Sequence, residues 1–374
     1  MSDVQTLQRG EVLDALATVA EPDLGGDLVS LDMVRDVTIE AADGGVHVGV
    51  RIALSTYADP AQETLQSRIA AALRGLPGVV GQAVQFTVEV PGSGLPNAAK
   101  LPGVRHVIGV GAGKGGVGKS TAAVNLAVSL AAAGARVGLL DADIYGPSVP
   151  IMMGLADTRP RADENRRIQP LFNHGVKFIS MGNMIGRGDA VVWRGPMVGR
   201  AVTQLFDDVH WGELDYLVVD LPPGTGDVVL SMAQTFPLSG AVVVATPQDV
   251  AFADVTRAVK MFEMLHVDVL GLVENMAYFV APDTGNRYEI FGPSRTADHC
   301  ANANLALLGS LPLNMDISPA ADAGHPICVS APRSDVAETF RAIAGRVGKA
   351  LAQRALSRGK AADHSAFFAS APGA

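Results

Sequence analysis

Cysteine and aromatic residues are scarce in this sequence. Only two of its 374 residues are cysteines, Cys300 and Cys328, and Phe, Tyr and Trp together make up 5% of the chain. Two cysteines cannot provide the disulfide framework that stabilises small secreted domains. The hydrophobic fraction of 48% therefore consists largely of aliphatic side chains and alanine, a composition that suits a layered α/β protein.

Positive charge and long apolar runs are scarce as well. The formal net charge is −9, whereas a dedicated nucleic-acid-binding protein is expected to carry a basic face. No uninterrupted apolar segment approaches the roughly 20 residues of a membrane-spanning helix, and the polar, acidic start lacks the apolar centre of a signal peptide. We therefore expect a cytoplasmic protein with no nucleic-acid and no membrane partner, and the length of 374 residues favours two domains.

One glycine-rich stretch carries clear chemistry. Residues 113–120 read GKGGVGKS and fit the phosphate-binding pattern G-x-x-x-x-G-K-[ST]. An apolar run, Val107–Val110, precedes the stretch and predicts a buried strand, and the Ala-rich run Thr121–Ala133 predicts the helix that follows. In that context the glycines let backbone N–H groups converge on phosphate oxygens at the helix N-terminus, so we predict that the loop binds ATP.

Two side chains of this loop have predicted roles of their own. Lys119 is expected to reach the β- and γ-phosphates and to take part in catalysis, and the hydroxyl of Ser120 is expected to ligate Mg²⁺. The alternative interpretation is a flexible glycine-rich turn, which the flanking strand and helix disfavour. The predicted nucleotide contacts in the loop are Gly113, Lys114, Gly115, Gly116, Val117, Gly118, Lys119, Ser120 and Thr121.

Carboxylates follow two predicted strands at the points where the strands end. The strand Arg136–Leu140 leads into Asp141 and Asp143, and another apolar strand leads into Asp220. In a parallel sheet such ends meet at the edge where ligands bind. The pattern at Asp220 is that of Walker B and predicts a residue that holds Mg²⁺, mostly through water. The alternative for residues 141–148, DADIYGPS, is an Asp-rich turn at the entry of a helix.

Hydrophobic periodicity divides the chain into a small and a large unit. Residues 7–90 predict an α+β domain in the order helix, strands, helix, strand. Residues 91–103 lack periodicity and are rich in Pro, Gly, Ala and Asn, as expected of a linker. From 104 to 356 strands and helices alternate, which predicts a doubly wound, mostly parallel P-loop NTPase sheet. Residues 357–374 are expected to form a disordered tail.

The motifs together resemble a known family. The second lysine, Lys114, gives the deviant Walker A loop of MinD, ParA and the nitrogenase iron protein. Residues 141–148 and residues 220–227, which read DLPPGTGD, are similar to the motifs of the Mrp/ApbC iron–sulfur cluster carrier P-loop ATPases. Residues 20–34 resemble the small SufT/PaaD-like iron–sulfur assembly domain that often precedes this ATPase in bacterial proteins.

The resemblance implies roles for four side chains. Lys114 would cross the interface of a homodimer and act as a catalytic residue on the partner's nucleotide. Asp143 would orient the attacking water, with Asp141 nearby toward Mg²⁺. Asn275, which follows a predicted strand, would recognise the adenine edge, because a carboxamide both donates and accepts hydrogen bonds. The alternatives from the residues alone are a solvated loop lysine at 114 and a turn asparagine at 275.

The sequence departs from the family at the positions that would hold a cluster. Relatives commonly carry a C-x-x-C hairpin that would bind a bridging cluster across the dimer, whereas Ala281 and Thr284 stand there in this chain. Neither side chain can replace a thiolate. In the N-terminal domain Asp59 stands where many members have a cysteine before a proline. Cys300 and Cys328 lie in apolar stretches that favour small buried hydrophobes over ligands, so the iron–sulfur ligands stay unidentified.

Two hypotheses about function follow from the resemblance. The first is a dimeric, Mg²⁺-dependent ATPase that carries or assembles iron–sulfur clusters and passes them to client apoproteins. The second is a cluster-free, ATP-switched scaffold in the maturation of such proteins. A ParA-like DNA-partitioning ATPase is disfavoured by the acidic charge. Two residues keep two interpretations each, namely Asp227, as a helix cap or a switch residue, and Arg194, as a partner contact or a surface residue.

Overall fold

The structure is a computed structural model, and it describes residues 7–144, 146–184, 205–226, 229–230, 232 and 236–369. Side chains are described as far as Gly359. Within these limits the chain forms a small N-terminal domain and a large domain built on a central sheet.

The N-terminal domain packs two helices against a three-stranded sheet. Its elements are α1 (Arg9–Leu16), β1 (Ala20–Glu21), β2 (Gly26–Asp27), β3 (Val34–Ala42), β4 (Gly45–Leu54), α2 (Gln62–Arg74) and β5 (Val79–Val88). Strand β4 lies in the middle, antiparallel to β3 and parallel to β5. Alternate residues of β4, such as Val50 and Ile52, pack with Leu65 and Ile69 of α2 in a buried core. The α+β order predicted from periodicity is confirmed.

Eight strands form the central sheet of the large domain. The strands of this domain are β6 (Val104–Gly111), β7 (Val137–Asp141), β8 (Arg161–Ala162), β9 (Ile168–Gln169), β10 (Leu171–Asn173), β11 (Val176–Ser180), β12 (Leu214–Asp220), β13 (Gly240–Ala245), β14 (Val269–Glu274), β15 (Phe279–Val280), β16 (Arg287–Tyr288) and β17 (Leu307–Ser310). The order in the sheet is β10-β11-β7-β12-β6-β13-β14-β17, and neighbours are parallel except β10 and β11. Strands β7, β12 and β13 are buried along their whole length, as strands covered on both faces should be. The predicted doubly wound, mostly parallel sheet is confirmed.

Helices cover the sheet and end in one long element. The described helices of the large domain are α3 (Lys119–Ala132), α4 (Val149–Met152), α5 (Met181–Met184), α6 (Asp249–Met264), α7 (Thr296–Asn302), α8 (Ile317–Asp322), α9 (Ile327–Ser330) and α10 (Asp335–Ala369). A short 3₁₀ turn, Ala98–Lys100, lies within the segment predicted to be a linker. Among the described residues, no helix combines the length and apolar character that crossing a membrane requires.

The last helix is longer than the sequence analysis predicted. Helix α10 was expected to end near residue 356, with a disordered tail after it, but the helix continues to Ala369. Four of the residues 357–369 are alanine, which has the highest helix propensity, and Pro372 is the first proline after Asp335. Helix propensity therefore extends the helix beyond Leu356, where the periodic pattern of apolar residues ends.

Helix α10 also carries the contact between the two domains. The loop that joins β4 to α2 lies against two of its glycines, since a Cβ atom at Gly345 would collide with the carbonyl oxygen of Ala58 and one at Gly348 with the hydroxyl of Thr56. That hydroxyl also lies 3.1 Å from the phenol oxygen of Tyr216 on β12. Close approach of the loop to the helix therefore requires glycine at both helical positions.

Candidate nucleotide-binding site

The glycine-rich loop connects β6 to α3 at the carboxyl edge of the sheet. Gly116 and Gly118 have φ angles of 79° and 85°, and Gly118 immediately precedes the first residue of α3, Lys119. A Cβ atom at Gly118 would collide with the side-chain amide of Asn275. The left-handed backbone and this close approach explain why the pattern needs glycine here, and they place the loop N–H groups at a helix N-terminus, where anions bind.

Lys119 lies at the centre of a buried charged cluster. Its Nζ atom is 2.5 Å from Oδ1 of Asp220, 3.5 Å from Oδ2 of Asp143 and 3.2 Å from Oγ of Ser120. Asp220 is completely buried, and Lys119 and Asp143 are 6% and 8% exposed. The structure therefore brings together the predicted phosphate lysine, the predicted Mg²⁺ ligands and the predicted water-orienting carboxylate.

Parallel pairing explains why these side chains meet. Asp141 and Asp220 are the last residues of β7 and β12, and they are paired in register across the two strands. The next loop residues after β7 include Asp143, whose backbone N–H donates to Oδ1 of Asp141 at 3.1 Å. The hydroxyl of Ser180, at the end of β11, donates to the other oxygen of Asp141 at 2.8 Å. Asp141 thus supports the loop that carries Asp143.

The carboxyl groups of Asp141 and Asp220 are hard to ionise. Burial, together with the nearby charge of Asp220, raises the pKa of Asp141 from its ordinary value of 3.8 to about 8. Burial also raises the pKa of Asp220, although the Lys119 ammonium group acts in the opposite direction. These directions are expected where two carboxyl groups share one buried site.

The oxygen atoms of this cluster fit Mg²⁺. Oδ2 of Asp220 and Oδ1 of Asp143 are buried and accept no hydrogen bond from any part of the chain that the structure describes. Such acceptors are costly unless a cation or its bound water satisfies them. In the described ranges no three His, Cys, Asp or Glu side chains form a metal site by themselves, so Mg²⁺ would need phosphate oxygens to complete its six ligands.

A cavity of about 170 Å³ opens beside the loop. It lies between Thr121, Asn275, Phe340 and the segment Leu311–Asn314. The Asn275 amide donates to the carbonyl oxygen of Val117 in the glycine-rich loop at 2.9 Å, and its carbonyl accepts the N–H of Met276 at 3.0 Å. Asn275 therefore joins the phosphate loop to the wall of a cavity whose apolar and amide lining suits a nucleotide base.

Lys114 lies apart from the buried cluster. Its side chain is exposed, and it forms no hydrogen bond or ion pair within the part of the chain that the structure describes. The structure thus places it on the surface next to the phosphate loop. Its action on a second subunit stays a prediction.

Neither the hairpin nor the cysteines form a cluster site. Strands β15 and β16 pair as a short antiparallel hairpin, and Ala281 and Thr284 lie in its turn. Cys300 and Cys328 are 2% and 8% exposed and belong to two separate hydrophobic cores. Burial raises the pKa of the Cys300 thiol, and it raises that of Cys328 to about 11. The thiols are therefore neither together nor ready to ionise, as ligands must be.

Sequence reasoning missed three residues that shape the site. Ser180 holds Asp141, Phe340 of α10 lines the cavity, and Glu274 lies directly before Asn275 at the end of β14. The position of Glu274 at the end of a strand was a usable signal, because Asp141 and Asp220 were found in the same way. Asp227 and Arg194, each left with two interpretations, lie outside the described residues.

Each of the two domains matches a model of a known protein family. A family model described as "NUBPL iron-transfer P-loop NTPase" matches residues 103–348, and one described as "Iron-sulfur cluster assembly protein" matches residues 9–86. The two models therefore cover the large domain and the small one separately.

Curated relatives and solved structures agree with these matches. The iron–sulfur cluster carrier protein of Deinococcus radiodurans is 49% identical over 346 residues, covering 92% of this chain and 96% of that protein. The protein of the same name from Synechocystis is 43% identical over 350 residues, covering 92% and 98%. A nucleotide-binding protein from Archaeoglobus fulgidus, solved in complex with ADP, is 35% identical, has a TM-score of 0.57 and covers 65% of this chain and 94% of its own.

The motifs, the sheet and these relatives lead to one assignment. The matched family model spans more than half of the chain, and the relatives extend over nearly all of both domains. The chain belongs to the iron–sulfur cluster carrier family of P-loop NTPases.

Proposed function

We propose that this protein is a dimeric, Mg²⁺-dependent ATPase that carries or assembles iron–sulfur clusters and delivers them to apoproteins. The observation that carries the proposal is the buried cluster of Lys119, Asp220 and Asp143 at the mouth of a glycine-rich loop. In the nucleotide-free protein the two carboxyl groups compensate the charge of the buried lysine, and the lysine can exchange one of these partners for a phosphate.

ATP binding would rearrange this cluster. The triphosphate would lie on the loop N–H groups, and Lys119 would turn from Asp220 to the β- and γ-phosphate oxygens. Mg²⁺ would be held by Ser120 and, through water, by Asp220, and when bound it neutralises charge on the phosphates. The unpaired oxygen of Asp220 supports this assignment, because a water or cation there would satisfy it.

Hydrolysis would then use Asp143 to place the water. The water oxygen attacks the γ-phosphorus in line, the bond to the β–γ bridging oxygen breaks, ADP leaves with the bonding electrons, and a proton of the water passes to the phosphate products. The free Oδ1 of Asp143 supports this role, since it can accept a hydrogen bond from that water. Asp141 and Ser180 would keep Asp143 in position through the bonds already described.

Lys114 would complete the site of a second subunit. An exposed lysine that is held by no group in the described chain can reach across an interface to the partner's nucleotide. There it would neutralise charge that develops at the β–γ bridge, as an arginine finger does. Hydrolysis would loosen this contact, so that the nucleotide controls the dimer.

The second candidate function is a cluster-free scaffold in iron–sulfur protein maturation. Three observations favour it, namely the absence of thiols at Ala281 and Thr284, the burial of both cysteines and their raised pKa values. In the first candidate a cluster is a transient cargo that a partner protein helps to hold. In the second the protein binds client or assembly proteins without holding the cluster itself.

Anaerobic reconstitution with iron and sulfide separates the two candidates. A carrier would show broad visible absorbance with stoichiometric iron and acid-labile sulfide, and replacing Cys300 and Cys328 by Ser would show whether these thiols contribute. A colourless protein that still hydrolyses ATP would support the scaffold. A protein that binds no ATP would contradict both candidates.

A further inference from the structure

A buried carboxyl group connects the cavity beside the phosphate loop to the exposed hairpin. Glu274 is 3% exposed and ends strand β14, directly before Asn275. Three hydroxyl groups donate to it, those of Ser294, Thr296 (2.6 Å) and Ser310 (2.6 Å). A buried carboxyl group that receives three hydrogen bonds fixes the position of every segment that supplies one.

Two of these three donors come from the chain that leaves the hairpin. Residues 279–291, which we call the hairpin segment, contain β15, β16 and the turn between them. Ser294 and Thr296 follow this segment, and Thr296 begins α7. Ser294 and Thr296 bind the same oxygen, Oε1, whereas Ser310 at the end of β17 binds Oε2. Oε1 therefore anchors the exit of the hairpin segment.

The entry of the hairpin segment is anchored at the same place. Met276 has a φ angle of 58°, a left-handed conformation that is unusual for a side chain of its size. The N–H of Ala277 donates to the carbonyl oxygen of Leu311 at 2.9 Å, and the N–H of Leu311 donates to that of Glu274 at 2.8 Å. Entry and exit therefore converge on Glu274, the last residue of β14, and on Leu311, which directly follows β17.

The same residues form one wall of the cavity. Leu311 and Leu313 line it, and the N–H of Leu313 donates to the carbonyl oxygen of Tyr278, directly before the hairpin segment, at 2.6 Å. Asn275 lines the cavity as well and holds the phosphate loop through Val117. A ligand in the cavity thus touches residues that are hydrogen-bonded to the entry of the hairpin segment, and one of them, Leu311, is hydrogen-bonded to Glu274, which holds the exit.

The hairpin segment itself is exposed and largely apolar. Val280, Tyr288, Ile290 and Phe291 are each at least 40% exposed. Among the described residues, the first residue of the segment, Phe279, pairs with Leu313, and the residues that follow the segment, Ser294 and Thr296, are held by Glu274. A segment attached mainly at its ends follows the residues that hold those ends.

We propose that Glu274 is a positioning residue that transmits nucleotide occupancy of the cavity to the hairpin segment. This inference rests on the proposed nucleotide-binding function and names the route by which that site would control an exposed surface. Nucleotide in the cavity fixes Asn275 and the Leu311–Leu313 wall, and Glu274 passes this constraint to Ser294 and Thr296. The hairpin segment is then ordered when nucleotide is bound and released when the nucleotide leaves.

Two matched substitutions test the route in the full-length protein. Thr296→Val keeps the shape of the side chain and removes one hydroxyl donor from Oε1, on the hairpin side. Ser310→Ala removes one hydroxyl donor from Oε2, on the side of β17. Both variants lose one buried hydrogen bond to the same carboxyl group, so a general loss of stability affects them alike. Glu274→Gln is a third variant that keeps the shape and one acceptor oxygen.

The readout is amide hydrogen exchange in residues 279–291 with and without Mg²⁺ and a non-hydrolysable ATP analogue. In the wild-type protein and in Ser310→Ala, we expect nucleotide to slow exchange in the hairpin segment by about tenfold, a usual size for coupling between sites. In Thr296→Val we expect this slowing to fall to about twofold or less while the phosphate loop is still protected. Glu274→Gln should lie between the two.

Calorimetric titration of the same samples distinguishes a failure of the coupling from a failure of the proposed nucleotide binding. If the analogue binds but the hairpin segment of the wild-type protein exchanges at an unchanged rate, the coupling is wrong and the proposed function stands. Equal slowing in Thr296→Val and Ser310→Ala would also overturn the role of Glu274. If the analogue does not bind at all, the proposed function fails, and the coupling fails with it.

Discussion

Nζ of Lys349, on the last helix of the large domain, lies 3.0 Å from a carboxyl oxygen of Asp59 in the N-terminal domain. The same ammonium group also pairs with Glu21. All three residues are at most 6% exposed. One lysine therefore joins two carboxyl groups of the small domain to helix α10, at the position where the family resemblance led us to look for a thiol.

Removing this lysine should destabilise the N-terminal domain, so that it unfolds before the large domain. Lys349→Met leaves Glu21 and Asp59 buried without their cation, which typically costs about 3–5 kcal/mol of folding free energy. We expect denaturant unfolding at a clearly lower concentration, with the N-terminal domain unfolding first. Lys260→Met, at an exposed lysine on α6, is the control and should change the unfolding free energy by less than about 0.5 kcal/mol. Equal midpoints for the two variants would contradict an interdomain role for Lys349.

The raised pKa of Asp141 predicts a dependence of stability on pH. The folded chain holds this proton up to about pH 8, whereas the unfolded chain releases it near the ordinary pKa of 3.8. Between these values the folded state binds more protons, so the contribution of this group to stability falls as pH rises. Asp141→Asn stays neutral and can keep both hydrogen bonds. The unfolding free energy of Asp141→Asn minus that of the wild-type protein should therefore increase as the pH rises from about 5 to about 8.

An exposed aspartate provides the control for this measurement. Asp283→Asn in the hairpin turn also removes one carboxyl group, but from a solvated position. The difference between Asp283→Asn and the wild-type protein should not change with pH over the same interval. A constant difference for Asp141→Asn as well would mean that the folded protein does not hold the extra proton.

Substitution of Asp143 should slow hydrolysis and leave binding intact. Asp143→Asn keeps the size of the side chain but removes the carboxylate that would hold the attacking water, so turnover should fall by about a hundredfold or more. Lys119→Ala, in contrast, should lose tight ATP binding, because Lys119 would contact the phosphates in the bound state. Phosphate release and calorimetric titration measure the two effects. If Asp143→Asn hydrolysed ATP at the wild-type rate, a group other than Asp143 would position the attacking water.

Lys114 should matter for turnover and not for affinity. A lysine that acts only on charge developing in the transition state lowers the barrier without holding the ground state. Lys114→Ala should therefore bind ATP normally and lose about a thousandfold in turnover. Lys100→Ala, at an exposed lysine before β6, should behave as the wild-type protein does. Normal turnover in Lys114→Ala would make Lys114 a solvated loop residue.

Sequence patterns predicted the site where local rules determine it. The loop 113–120 has a fixed spacing, and Asp141 and Asp220 each end an apolar strand, so the parallel sheet necessarily brings them to one edge. No local rule predicts the partner of Asp59, because Lys349 is 290 residues away and its surroundings follow from domain packing. The hydroxyl partners of Glu274 were missed for the same reason.

The length of the last helix shows a different limit of sequence reasoning. The apolar period that marks a packed helix fades after Leu356, and the prediction ended the helix there. Alanine has the highest helix propensity, and the helix extends to Ala369. Periodicity thus predicts where a helix is buried more reliably than where it ends.

The central claim is that two copies of this chain share their nucleotide sites, each copy supplying Lys114 to the other. The most direct test is the ATP turnover per subunit over a series of dilutions, with the oligomeric state measured at each concentration. We expect turnover per subunit to fall as dimers dissociate and to approach the low rate of Lys114→Ala when only monomers remain. Turnover per subunit that stays constant down to concentrations where only monomers are present would contradict the account.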